Sequence, residues 1–217
     1  MPKRDKLALL EKRVLKTDIY PVITPSFCKG RSPIFVLQEV LAGGAKIVQL
    51  RDKQEPERHA QKFREITEKY NALLIINDSV DLALKFNADG VHLGQGDLPL
   101  IEAREKAPEL IIGVSAHNLK EALFAQENGA SYVNLGPIFQ TKTKEKLSIF
   151  LGVAAIKEIA PCLKIPFTVM GGINKDNIDQ VLEAGARRVA MVTGITETEN
   201  VAETVRFLAR KVKTLNK

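Results

Sequence analysis

Two aspartates, Asp78 and Asp97, stand nineteen residues apart, each close behind a short apolar run. Paired carboxylates with open neighbours suit Mg2+, which takes a few oxygen ligands and keeps room for water and substrate phosphates. Each also has a plainer reading as a helix N-cap. Asp78 would start a helix near Val80, with Asn77 shaping the turn, and Asp97 would precede Leu98. Cations gather in two further places. Gln49-Leu50-Arg51-Asp52-Lys53 closes one apolar run, and Gly136-Pro137-Ile138-Phe139-Gln140-Thr141-Lys142-Thr143-Lys144-Glu145-Lys146 follows another. Arginine offers phosphate a planar fork and lysine a point charge. Surface solvation accounts for any one lysine. It accounts less well for Arg51, one residue past its apolar stretch. Glycines form a third group, Gly171-Gly172 and Thr193-Gly194. Backbone N–H groups in such loops hold anions, although tight turns need glycine as well.

These groups act together only if a fold brings them to one place. Segments 43–50, 87–93, 128–135 and 184–192 repeat one pattern, a Gly or Asn suited to a left-handed helix cap and then a β-rich run. Other apolar runs fall between them. Eight strands follow, over 19–24, 45–50, 73–76, 90–93, 111–114, 132–135, 166–170 and 188–192. Helical spacing separates them: Leu37, Val40 and Leu41 share a face, as do Phe63, Ile66 and Tyr70. Ala122, Leu123 and Ala125 serve another helix, and Val201, Val205 and Leu208 the last. Strand–helix alternation predicts an α/β fold with a parallel sheet and right-handed crossovers. Eight units in this length predict a single closed (β/α)8 TIM barrel over 19–217. An open doubly wound sheet is the alternative, but no Gly-x-Gly-x-x-Gly turn follows the first strand. Residues 1–18 read as a short N-terminal helical extension, with Leu7, Leu10 and Val14 capping the barrel's bottom.

The active end of such a barrel is the C-terminal rim of its strands. Arg51 and Lys53 follow strand 2, Asn77 and Asp78 strand 3, and Asp97 strand 4. Ser115 and His117 follow strand 5, and the lysine–threonine loop follows strand 6. The glycine pair and Thr193-Gly194 close strands 7 and 8. Two anion sites result. One carries a metal plus Arg and Lys, as a diphosphate needs. The other uses backbone amides, as a monophosphate needs, with Thr141 and Thr143 on the loop between. An enzyme with one diphosphate and one monophosphate substrate is the coherent reading. Metal and lysines would stabilise departing pyrophosphate, where charge develops. His117 reads as a polar residue at the mouth without a catalytic role.

Composition narrows the class. Hydrophobic content of 45% and charged content of 27% are those of a globular domain. No run of eighteen apolar residues occurs, so no membrane span is expected. The first sixteen residues alternate charge with apolar residues, unlike a secretory signal. Cys28 and Cys162 lack metal spacing, and a cytoplasmic location is expected. The net charge of +6 resides at the ends: +4 over 1–16, +5 over 206–217 and −3 between them. With no nucleic-acid motif and no aromatic platform, the basic ends read as solvated helix faces. Small-molecule substrates are the expected partners, without nucleic acid or membrane. The sequence leaves open whether copies join as a homo-oligomer.

In chain order, the chemical groups read Gln49-Leu50-Arg51-Asp52-Lys53, Asn77-Asp78, Gly94-Gln95-Gly96-Asp97, Gly113-Val114-Ser115-Ala116-His117, Gly136 to Lys144, and Gly171-Gly172-Ile173. This ordered set resembles the thiamine phosphate synthase family over roughly residues 19 to 210. Any single piece is common, and the ordered set is specific. The family joins an aminopyrimidine methyl diphosphate to a thiazole phosphate, releasing pyrophosphate and forming thiamine phosphate. The resemblance implies that Gln49, Arg51, Lys53, Asn77 and Lys144 bind the pyrimidine diphosphate, with Arg51, Lys53 and Lys144 catalytic. It implies Mg2+ on Asp78 and Asp97, and Ser115 on the pyrimidine side. Thr141 and Thr143 would meet the thiazole phosphate, with Gly172, Val192 and Thr193 completing its cradle. The chain departs from the family pattern at Val169, where a small residue is usual, and in the apolar run Leu147-Ser148-Ile149-Phe150-Leu151. Two alternatives are a thiazole tautomerase branch of similar fold and a non-catalytic phosphate-binding regulatory barrel. The tautomerase branch lacks the full diphosphate and metal set, which this chain retains.

Overall fold

The computed structural model describes residues 3–143 and 150–215. Eight parallel strands close into a barrel in chain order. They are β1 (Ile19–Ile23), β2 (Ile47–Leu50), β3 (Leu73–Asn77), β4 (Gly90–Leu93), β5 (Ile111–Ala116), β6 (Tyr132–Leu135), β7 (Phe167–Val169) and β8 (Val189–Met191). Closure aligns Ile19 with Val189 and Tyr20 with Ala190. Around the barrel run α2 (Pro33–Ala42), α3 (Ala60–Lys69), α4 (Val80–Lys85), α5 (Leu100–Lys106), α6 (Leu119–Glu127), α7 (Gly152–Ile159), α8 (Ile178–Glu183), the short α9 (Thr193–Thr196) and α10 (Val201–Leu215), with α1 (Lys3–Leu15) ahead of them.

The repeated small-residue pattern is a set of helix ends. Gly44, Asn87, Gly129 and Gly185 have φ of 98°, 49°, 88° and 107°, the left-handed turn that stops a helix before the next strand. Asn71, at φ 49°, ends α3 the same way, and the sequence pattern missed it because no glycine accompanies it. One cap explains a difference in strand limits. β2 starts at Ile47 because the Ala45 N–H still donates to Val40 O at 3.1 Å, closing α2. β5 runs on to Ala116, so Ser115 lies within the strand, paired in register with Asn134.

Strand alternation sorts the core into two shells. Outward residues such as Val48, Leu74, Val91, Ile112, Val133 and Val189 pack against the helices. Inward residues Tyr20, Ile47, Leu73, Ile75, Ile111, Tyr132 and Ala190 fill the barrel, joined by Leu10 and Val14 of α1. The extension therefore plugs the bottom as expected, although Leu7 is only half-buried. Arg188 secures the plug by donating to Val14 O at 3.2 Å and Leu15 O at 2.8 Å, carbonyls left open at the helix end. Tyr70 corrects an expectation. It follows the last turn of α3 and is 44% exposed, because the helix ends at Lys69 before the buried face reaches it.

Cys28 is buried and Cys162 exposed, and neither is paired with another cysteine. Burial pushes the Cys28 thiol up to about 11. The basic C-terminal helix is solvated and partly paired, Lys213 lying 3.4 Å from Asp18 and Lys211 bridging to Asp179. Among the described residues, no helix is long and apolar enough to cross a membrane.

Candidate active site

A cavity of about 360 Å³ opens at the C-terminal mouth of the barrel. Gln49, Arg51, Lys53, Asn77, Asp78, Asp97, Ser115, Thr143 and Val192 all line it. Residues spread over more than half the chain thus meet in one space. Strand parity explains how. Ile47 and Gln49 point inward from β2, and the Arg51 N–H donates to Ile23 O at 2.9 Å, carrying the pairing and its parity one residue past the strand. Arg51 is half-buried. Burial lowers its pKa and the Asp78 charge opposes that, while the guanidinium remains a cation.

Neither aspartate is a helix cap. The Ser79 side chain takes that place on α4, accepting from Leu82 N at 3.2 Å. Asp78 instead adopts a left-handed turn at φ 64°, with its N–H donating to His92 O at 2.8 Å. Asp97 accepts from Gly94 N at 2.6 Å, well before α5 begins at Leu100. Freed from capping, the two carboxyls meet each other. Burial raises the Asp78 pKa, the hydrogen bond and charge of Asp97 raise it further, and Lys53 opposes them from 3.5 Å. Two carboxyls in contact are stabilised by a shared proton or a cation. No group of three or more His, Cys, Asp or Glu suited to a metal occurs among the described residues. A carboxylate pair alone still fits Mg2+, which commonly takes one or two protein carboxylates plus water and substrate phosphate.

The opposite side of the mouth is built from backbone and hydroxyls. Thr141 Oγ1 and Thr143 Oγ1 lie 2.9 Å apart. Phe139 N donates to Gly171 O at 3.0 Å, fastening this loop to the glycine pair after β7. Gly172 has φ 64°, and a Cβ there would sit 2.3 Å from Gln140 O, so only glycine fits. Asn177 Nδ2 holds its carbonyl at 2.9 Å. Thr193 opens α9, whose far end is fastened by Arg31 donating to Thr198 O at 3.0 Å and to Thr196 O. Thr141, Gly172 and Thr193 lie in these loops and do not themselves line the cavity. Lys144 and residues 145–149 lie outside the described residues. Val169 is buried among the outward residues of β7, while Met170 faces the cavity, so this departure from the family pattern does not reach the site.

Sequence reasoning missed what lies beneath the mouth. His92 lines the cavity and joins Tyr132 and Ser115 by hydrogen bonds of 3.0 and 2.9 Å. Tyr132 in turn meets Tyr20 at 3.0 Å, and Gln49 Nε2 donates to Tyr20 Oη at 2.9 Å. Parity along β1, β4 and β6 places all three rings inward, the signal that could have found them. Gly113 makes room for this group, since a Cβ there would lie 2.0 Å from Tyr132 Cζ. His117 also lines the cavity, its Nδ1 lying 2.9 Å from Glu121 Oε2.

Residues 19–195 match the family described as thiamine monophosphate synthase. The chain belongs to the thiamine-phosphate synthase family. A thiamine-phosphate synthase of Halalkalibacterium halodurans is 42% identical over 191 residues, 86% of this chain and 90% of that one. One from Clostridium novyi is 40% identical over 196 residues, 88% of this chain and 96% of that one. The solved thiamine phosphate pyrophosphorylase of Pyrococcus furiosus superposes with a TM-score of 0.84 at 34% identity, covering 96% of this chain and all of that one. The synthase is a transferase of thiamine biosynthesis. It condenses 4-amino-2-methyl-5-hydroxymethylpyrimidine diphosphate with thiazole phosphate to give thiamine phosphate and pyrophosphate.

Proposed function

We propose that the two sides of the mouth divide the two substrates. Gln49 and Ser115 contact the pyrimidine ring. Arg51, Lys53, Asn77 and Lys144 hold its diphosphate, and Asp78 with Asp97 carries Mg2+. Thr141, Thr143, Gly172, Val192 and Thr193 hold the thiazole phosphate. One observation carries this reading: the paired aspartates lie beside Arg51 and Lys53 in the cavity that also holds Gln49 and Ser115.

The chemistry follows from charge placement. Bond breaking to pyrophosphate leads, and the thiazole nitrogen captures the resulting pyrimidine cation. Arg51, Lys53 and Lys144 receive the negative charge that grows on the leaving group. Bound Mg2+ would supply further charge neutralisation on the diphosphate oxygens. No general base is needed, which agrees with a site rich in cations. The cytoplasm is the proposed location, because both substrates are phosphorylated and ionised.

The test is pyrophosphate release by the purified protein with both substrates, with and without chelator. Mg2+ removal should suppress release, and Asp78→Ala should weaken binding of the diphosphate substrate. An unchanged rate under chelation would remove the metal from the reading. Unchanged diphosphate affinity in Asp78→Ala would favour the regulatory barrel.

A further inference from the structure

An unbroken line of hydrogen bonds runs beneath the cavity from Gln49 on β2 to Ser115 on β5. Gln49 Nε2 lies 2.9 Å from Tyr20 Oη, which lies 3.0 Å from Tyr132 Oη. Tyr132 Oη lies 3.0 Å from His92 Nδ1, and His92 Nε2 lies 2.9 Å from Ser115 Oγ. Gln49, Tyr20 and Tyr132 are 2%, 2% and 0% exposed, so bulk water does not supply their partners. Burial also keeps both tyrosine hydroxyls protonated.

One end of the line sets the direction of every proton. An amide nitrogen only donates, so Tyr20 Oη accepts from Gln49. If Tyr132 also donated to Tyr20, the single Tyr20 proton would be buried without an acceptor, the costly arrangement. Tyr20 therefore donates to Tyr132, and Tyr132 donates to His92 Nδ1. His92 then carries its proton on Nε2 and donates it to Ser115 Oγ. Ser115, accepting on one side, has its own proton left to donate into the cavity. At the other end Gln49, with its Nε2 engaged, has Oε1 left to accept.

We propose that Tyr20, Tyr132 and His92 are positioning residues that set the polarity of the pyrimidine pocket, an acceptor at Gln49 and a donor at Ser115. The proposal rests on the reading that Gln49 and Ser115 contact the pyrimidine. An aminopyrimidine carries the matching pair, an exocyclic amino donor and a ring-nitrogen acceptor. The oxo analogue, with the amino group replaced by a carbonyl, places an acceptor against an acceptor. A site that hydrogen-bonds its substrate rejects such an analogue because buried polar groups are left unpaired.

Tyr132→Phe removes one hydroxyl and keeps the ring, which stacks on His92 with centroids 5.7 Å apart. Imidazole ¹⁵N spectra of the substrate-free protein should place the His92 proton on Nε2, and Tyr132→Phe should abolish that preference. In the variant, KM for the pyrimidine diphosphate should rise about tenfold, the worth of one hydrogen bond. KM for thiazole phosphate should stay unchanged, and discrimination against the oxo analogue should fall by the same factor. Ser115→Ala should lose as much, and the double variant no more than either. Tyr20→Phe should reproduce the kinetic pattern if Tyr132→Phe does not fold. A His92 proton found on Nδ1, or additive losses in the double variant, would overturn the proposal. An unchanged pyrimidine KM in Ser115→Ala, with the His92 proton still on Nε2, would overturn it through the Ser115 reading instead.

Discussion

The two sides of the barrel mouth, both proposed to bind anions, are built by different means. The β2–β5 side presents charged side chains, with Arg51 half-buried and Asp78 pressed against Asp97. The β6–β8 side presents hydroxyls and backbone, packed so closely that Gly172 tolerates no Cβ. The difference matches the proposed tasks. A departing pyrophosphate gains charge during the reaction, and full charges held near it stabilise the transition state more than the ground state. A phosphate that only anchors its substrate keeps its charge throughout. Fixed N–H groups and hydroxyls suffice for it, at no cost in burying further ions.

Variants of the charged residues should therefore lower kcat, and variants of the hydroxyl and backbone cradle should raise KM. Arg51→Ala and Lys144→Ala should have the largest effects, a loss of about 100- to 1000-fold in kcat, by analogy with removing a charge-stabilising donor from other active sites. A wild-type turnover in Lys144→Ala would strike that residue from the charged set. Next comes Asp78→Asn, expected to lower kcat about 100-fold at fixed Mg2+. Its rate should recover in part as Mg2+ is raised, and a Mg2+ titration of steady-state rates checks this. Gly172→Ala should raise KM for thiazole phosphate about tenfold and cost more than the roughly 1–3 kcal/mol of a strained left-handed turn, since its Cβ would also meet Gln140 O. Thermal melts beside kinetics would separate the two effects. Thr143→Val should have the smallest effect, a few-fold rise in the same KM, because one neutral hydrogen bond contributes about 1 kcal/mol. If Thr143→Val lowered kcat as strongly as Asp78→Asn does, the division between the two sides would fail.

Much of the candidate site is legible in the sequence. Arg51 stood out because a cation directly after an apolar run must sit where the strand leaves the barrel. Asp78 was harder, since a carboxylate before a helix is usually a cap, and only the Ser79 bond to Leu82 N settles the matter. His92, Tyr20 and Tyr132 were overlooked because an aromatic residue in an apolar strand looks like core. They are core and also polar, a combination visible only when three strands bring their hydroxyls and imidazole together. Tyr70 failed in the opposite sense, because helical spacing continues past the residue at which the helix ends.

The sequence alone determined the fold class and the ordered chemical groups. Both depend on local physics, the alternation of apolar residues and the residue types that turns and anions require. Only tertiary structure decided which of those groups face one another. Closure of the barrel brings β2 to β5 within reach across its interior, joining Gln49 to Ser115 through residues up to 112 positions apart. Hydrogen-bond direction is a property of that whole line, and no local stretch of sequence contains it.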